Sequence, residues 1–443
     1  MHLLSKLHPS RYALSLSTLS RRVFSSHKIP QKMGSEDWRL REQAFRQELK
    51  TIDPKDLAEA MGGDKPPEED LLSSFDDGLG YFTTAAPKRW LKHYWLVRKL
   101  GWASSSTVWL ASDESERPRK FVALKFLTSQ ATAQITHFGS PEFDVFLKIN
   151  AAGHHTCFVT EALTSSLTNL REPGKNRFAL PIAKRITRQV LLGLDFLHRE
   201  CGYIHTVVCQ DLKTENILTS PPEPVASRIV EYVGLKGNHS IICGLPLELK
   251  SQELPLVFAI SQPLPYLDLG GSLEDISVRI IDYGQATSAK EPVREPVRDH
   301  YYQPDLIRAP EVTLRYPWIS AIDIWTVGCV LFQLLTEQNL FGQDPGKYTH
   351  ELHLQRIEEC LGPFPLNFLK DCKDREKYFD GKGKLLHTDN DYAPTPIEDI
   401  LRALEAVDKD EILGTAGFLG KCFTLDPKLR PSAQELLKDD WLM

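Results

Sequence analysis

Apolar and polar positions change rhythm twice along the chain. From Trp95 the apolar residues come in strand-length runs, Trp95–Leu100, Thr107–Ala111 and Phe121–Phe126, the first two joined across a Gly- and Ser-rich turn. Beyond Pro181 the spacing lengthens to a helical period, clearest over Ile182–His198 and Ile322–Leu335. The second of these is apolar almost throughout, yet it is too short for a membrane span and carries Thr326, Gly328 and Gln333, so it predicts a buried core helix. Upstream, Ser35–Leu49 predicts a short surface helix and Gly62–Asp70 a linker. A strand-rich piece followed by a larger helix-rich piece predicts an α+β chain of two lobes with a cleft between them.

Composition narrows the class. With 443 residues, 42% of them hydrophobic and 25% charged, the chain has enough apolar content for a sizeable core. Its net charge of −6 argues against a nucleic-acid partner held by overall positive charge. The eight cysteines are scattered with no Cys-x-x-Cys pair, which favours free thiols in a reducing, intracellular compartment. Neither His154–His155 nor His350/His353 has a third ligand close in sequence, so a structural metal is not expected. Residues 1–33 stand apart: no acid precedes Glu36, while Lys6, Arg11, Arg21, Arg22, Lys28 and Lys32 are basic and serines are frequent. That is the composition of a mitochondrial transit peptide or, alternatively, of a disordered basic tail, and in both cases it stays outside the fold.

Candidate chemistry begins in the turn Gly101-Trp102-Ala103-Ser104-Ser105-Ser106-Thr107-Val108, where small residues let backbone N–H groups approach phosphate oxygens. Val122-Ala123-Leu124-Lys125 ends an apolar strand on a lysine, which needs an anionic partner. A nucleotide's phosphates and a carboxylate on the following helical segment, Glu142 before Asp144, would supply it. Asp211-Leu212-Lys213-Thr214-Glu215-Asn216 sets a base, a phosphate-contacting cation and a metal ligand in one short loop. Asp282-Tyr283-Gly284 follows the apolar run Val278–Ile281 and puts a second carboxylate at a strand end, where it can hold Mg²⁺. Ala309-Pro310-Glu311, Asp323–Gly328 and Asp426–Pro431 complete the series. Glu311 and Arg430 are expected to form a buried ion pair, and Asp323 to cap its helix and hold the catalytic loop's backbone.

That ordered set resembles the eukaryotic protein kinase family over roughly residues 90 to 443. Leu100-Gly101-Trp102 with Ser106–Ala111, and Tyr203-Ile204-His205-Thr206, are similar to the serine/arginine-rich protein-specific kinases. The long stretch Thr219–Ser277, with its Pro-rich pieces, is similar to their spacer-bearing fungal members. The resemblance implies a bilobal kinase fold: N-terminal extension and linker 34–88, small β-rich N-lobe 89–163, and larger helical C-lobe 164–443 with its spacer insert at 219–277. It also implies phosphorylation of protein Ser/Thr, of the Arg/Ser-rich kind, from ATP and Mg²⁺, by a monomeric cytoplasmic or nuclear enzyme. Leu100, Gly101, Trp102, Ala103, Ser106, Val108 and Ala123 would then cover the nucleotide, and Lys125 paired with Glu142 would anchor its phosphates. Thr160 would be the gatekeeper, with Glu161, Ala162 and Leu163 as the adenine-binding hinge. Asp211 would accept the substrate proton, Lys213 would steady the phosphoryl group, and Asn216 and Asp282 would hold Mg²⁺.

The chain departs from that pattern in three places. Ala103 replaces a loop glycine, Val207–Gln210 intervene before Asp211, and only a short segment separates Glu142 from Thr160, with no room left for a fourth strand. These departures keep open a pseudokinase that acts as a binding scaffold. A small-molecule phosphotransferase is a weaker alternative, because the Ala309–Glu311 and Asp323–Gly328 motifs favour a peptide-binding lobe. With Thr206 or Gln210 in place of the usual phosphate-clamping arginine, activity is expected to be constitutive rather than switched at Thr287, Ser288, Tyr301 or Tyr302.

Overall fold

The structure is a computed structural model. It describes Glu69, residues 80–82 and residues 89–443 apart from 91–92, 118–119, 139–146, 152, 171–176, 206–211, 222–223, 235–241, 246–255, 260, 267–272, 284–285, 290–302, 318, 343–347 and 389–391. The basic segment 1–33 and the surface helix expected at Ser35–Leu49 therefore lie outside the described residues. The chain divides into two compact units, Met1–Ala162 with Glu223–Leu267, and Leu163–Pro222 with Asp268–Met443.

In the first unit, β1 (Arg89–Trp90), β2 (Tyr94–Ala103), β3 (Ser106–Asp113), β4 (Lys120–Leu127), β5 (Leu147–Ala151) and β6 (Gly153–Glu161) form one sheet in the order β1-β2-β3-β4-β6-β5. The alternation of side chains along each strand gives the sheet two faces. Trp109, Ala111, Val122, Leu124, Phe126 and Cys157 share one core cluster, which Phe82 joins from the N-terminal extension. The Phe82 ring stacks on Phe126 with centroids 3.9 Å apart. Leu110, Phe121 and Ala162 form a second cluster with Ile229 and Leu264.

One expectation is corrected here. The fourth strand is present: β5 pairs with β6 from Leu147↔Cys157 to Ala151↔Gly153. The reversal spends a single intervening residue, so a strand fits where the residue count left none. The helix between β4 and β5 is the short element, ten residues from Ser129 to Phe138. The insert packs with the sheet. Its residues Glu223–Leu267 belong to the first unit rather than to the helical lobe whose sequence encloses them. They carry the helix Val225–Gly234 and the strand pair Ile242–Leu245 with Leu256–Ala259. Buried Ile229, with Tyr232 and Val233 beside it, gives that helix an apolar face against the sheet. Finally, the stretch read as linker reaches into the core at Glu69, which is 3% exposed and ion-paired with Lys99 at 1%.

The second unit is helical. Leu180–Phe196 starts with Pro181 in its first turn and continues as a π-helical turn, Leu197–Cys201, which Gly202 closes with φ of 73°. Gln189 of this helix ties it to a two-stranded ladder, Ile217–Thr219 with Val278–Ile280, by accepting from Val278 N at 2.9 Å and donating to Ile276 O at 2.9 Å. Ala321–Thr336 is buried almost all round, as its apolar composition requires. Trp325 stacks on Phe341 with centroids 5.0 Å apart and meets Phe423 edge-on at 5.0 Å. At Gly328 an added Cβ would lie 2.7 Å from the Phe423 ring, so this close helix contact needs glycine.

Candidate active site

The register of the first unit's sheet decides which side chains share a face, because directly paired residues project together. Gly101 pairs with Val108, Val108 with Lys125, and Ala123 with Thr160. One face therefore carries all five. A Cβ added to Gly101 would meet nothing within 4 Å, so the backbone there is open to close approach by a ligand. Thr160 and Glu161 are exposed, and the Thr160 hydroxyl donates to the Glu161 carbonyl at 3.4 Å. Leu100 is half-buried against the cluster that holds Ile229 and Leu264. The division between units falls at Ala162/Leu163, within the segment expected to be the hinge.

Beyond Gly101 the β2–β3 hairpin turns at Ser104–Ser105, with Trp102 and Ala103 exposed and Ser106 only 2% exposed. None of residues 101–106 has a positive φ. Alanine at 103 therefore fits the backbone without strain. The departure from glycine changes the surface facing a ligand rather than the turn's conformation.

In the second unit the antiparallel ladder aligns Ile280 with Ile217, and the Ile281 N–H donates to Asn216 O at 2.9 Å. That register brings Asn216 and Asp282 to the same end of the ladder. Asp282 is exposed and has φ of 68°, a left-handed conformation that costs energy in any residue but glycine. A carboxylate and an amide oxygen form a donor set suited to a hard cation such as Mg²⁺. Lys213 caps the 3₁₀ turn Thr214–Asn216, whose Asn216 N–H donates to Lys213 O at 2.9 Å. Lys213 and Glu215 also line a cavity of about 310 Å³ with Asp305, Leu306, Ile307 and Val330.

A buried relay supports that strand end. Asp323, fully buried, accepts from His205 N at 2.9 Å and bonds the His198 ring at 2.7 Å. The His205 ring bonds Ile281 O at 3.2 Å and meets Tyr283 edge-on at 5.1 Å. Asp323 thus holds backbone as expected, but it does not cap its helix, whose N-cap is Ser320. The Glu311–Arg430 pair is bidentate, at 2.7 and 3.0 Å, and both side chains are wholly buried. Next to it, Arg308 donates to Asp305 at 2.7 Å and to Gln303 O at 2.9 Å, while His353 bonds Arg308 O at 2.8 Å. Burial lowers the His353 pKa to about 4.

Asp211, Glu142 and the intervening Val207–Gln210 lie outside the described residues. The described helix Ser129–Phe138 contains no acidic residue and ends before Glu142. Sequence reasoning missed His198, which a π turn carries to Asp323, and Tyr81, whose aromatic neighbour Phe82 was the one signal in an otherwise unpatterned stretch.

Comparison with known proteins agrees with this layout. The protein kinase domain model matches residues 271–442. The crystal structure of a kinase domain aligns with a TM-score of 0.53 and 22% identity, covering 82% of this chain and 99% of that one, which shows the fold. A serine/threonine protein kinase of Aspergillus fumigatus is 30% identical over 85% of this chain and 91% of its own length. The serine/threonine-protein kinase SRPK of Physarum polycephalum is 29% identical over 84% of this chain and 92% of its own. The chain belongs to the serine/threonine protein kinase family. Among the described residues no helix is long and apolar enough to cross a membrane.

Proposed function

We propose that the chain transfers the γ-phosphoryl group of MgATP to serine or threonine of protein substrates. The carrying observation is the end of the Ile217–Thr219/Val278–Ile280 ladder, where Asn216 and the strained Asp282 lie together and Lys213 begins the adjoining turn. Strain of this kind persists where the surroundings hold it, and it concentrates at working sites. Asn216 and Asp282 would hold Mg²⁺, which when bound neutralises charge building on the phosphate oxygens. Lys125, on the face it shares with Gly101 and Val108, would anchor the phosphates, and Lys213 would steady the group in transit. The substrate oxygen forms the new bond to phosphorus, the bond to the bridging oxygen breaks, ADP leaves, and the Asp211 carboxylate takes the hydroxyl proton.

An Arg/Ser-rich substrate fits kinship with the SRPK-type relative. Glu215 and Asp305, both lining the cavity beside Lys213, favour a basic peptide electrostatically. The second reading, a pseudokinase scaffold, is favoured by alanine at position 103 in place of a loop glycine. A thermal-shift titration of the full chain with ATP, with and without Mg²⁺, beside Asp282→Ala, separates the two. A Mg²⁺-dependent shift lost in the variant, together with phosphate transfer to an Arg/Ser peptide, is expected of the kinase. A well-folded wild type with neither response is a scaffold.

A further inference from the structure

The β2–β3 hairpin tip is secured from outside its own sheet. The Tyr81 hydroxyl, in the N-terminal extension, shares its single proton between Ala103 O at 3.1 Å and Ser104 O at 3.0 Å. The carbonyl of the next residue, Ser105, accepts from Thr128 N at 2.8 Å, so three consecutive carbonyls of the turn are held. Tyr81 is 5% exposed, and its ring meets Trp102 edge-on with centroids 6.3 Å apart. Its neighbours anchor it on both sides. Gly80 O accepts from Ser129 N at 2.8 Å, and Phe82 lies in the core against Phe126.

We propose that Tyr81 is a positioning residue for the nucleotide phosphates, acting through the Ser104–Ser105 turn. In a trans peptide the C=O of one residue and the N–H of the next point in opposite directions. Binding the carbonyls of Ala103 and Ser104 to one hydroxyl therefore turns the Ser104 and Ser105 N–H groups away from Tyr81, on a tip whose residues are exposed. Two parallel N–H groups of this kind form an anion-binding concavity for phosphate oxygens. The turn needs the help. A two-residue hairpin loop is favoured when its residues take positive φ, which none does here, and turns of the other hand splay the strands. The extension thereby does for this loop what glycines at the tip do elsewhere: it sets the direction of the backbone amides.

This inference rests on the nucleotide reading of the hairpin, and the test keeps the two apart. In the full-length chain, Tyr81→Phe removes the hydroxyl and keeps the ring against Trp102. Amide hydrogen exchange over residues 103–106, measured without nucleotide, is expected to quicken about 3- to 10-fold, the range for loss of one hydrogen bond. The KM for ATP should rise by a similar factor, with kcat and the KM for peptide within about 2-fold of wild type. Unchanged exchange overturns the tether. Faster exchange with an unchanged KM for ATP overturns the positioning role. A wild type that turns over no ATP removes the kinase reading and the positioning role together, while the exchange comparison still reports on the tether.

Discussion

The two units hold their candidate functional residues by different means. The Asp282 strand end rests on wholly buried groups of its own unit: Asp323 grips His205, and His205 grips the carbonyl just before Asp282. The hairpin tip instead rests on segments from outside the strands, Tyr81 at the turn and Glu69 on Lys99, while the insert's Ile229 and Leu264 fill the cluster beside Leu100. A catalytic carboxylate tolerates little displacement, so support from a rigid core suits it. The hairpin tip is held by buried groups as well, Phe82 and Glu69 among them, but these come from segments distant in the chain.

This contrast is sharpest where the core is broken. Asp323→Ala leaves the His205 N–H and the His198 ring without their buried acceptor. It should cost about 3 to 5 kcal/mol, the scale for losing two hydrogen bonds to a charged group, and abolish phosphate transfer. Urea melts beside a kinase assay check both; a stable, active variant would mean that the relay does not position Asp282. Ile229→Ala, in the insert, should cost about 2 to 4 kcal/mol as a core truncation. Its loss should fall on the first unit alone, seen as faster hydrogen exchange in the β2–β4 strands with the Ala321–Thr336 helix unchanged. Equal exchange changes in both units would erase the distinction.

A smaller effect tests the second unit through pH. His353 has a folded pKa of about 4 against an ordinary value near 6.5, so it stays neutral while the unfolded chain takes up a proton. Its contribution is full above pH 6.5 and is lost as pH falls from there towards 4, by about 1 kcal/mol per pH unit. His353→Gln should flatten that segment of the stability profile. Smallest is Asp282→Gly, which relieves the left-handed strain and should stabilise the chain by about 0.5 to 1 kcal/mol while phosphate transfer is lost. A destabilised Asp282→Gly variant would show that the strand end is held by the side chain rather than strained by it.

What could be read from the sequence follows from locality. The three long strands and the helices around Ile182–His198 and Ile322–Leu335 announce themselves through apolar period, and the structure extends them by a residue or a few. Asn216 and Asp282 were legible because each ends or begins a short apolar run. The strand Leu147–Ala151 was missed because a single-residue reversal leaves almost no turn signal. The π turn Leu197–Cys201 was missed because it keeps the composition of the helix it prolongs. Glu69 and Leu264 were invisible for another reason: their partners lie far away in the chain, and no local pattern records a contact across such a separation.

The discontinuity of the first unit has a consequence for synthesis. Ala162 completes the sheet's own sequence, but Leu264, which closes its second cluster, lies about a hundred residues further on. At ribosomal speeds of about 5 to 20 residues per second, the nascent sheet waits roughly 5 to 20 s with that apolar face uncovered. During that interval Leu110 and Phe121 present a sticky surface to chaperones and to neighbouring nascent chains. A fragment ending at the hinge would carry the same exposure permanently, so the lobe that looks most separable on paper is the one least suited to expression alone.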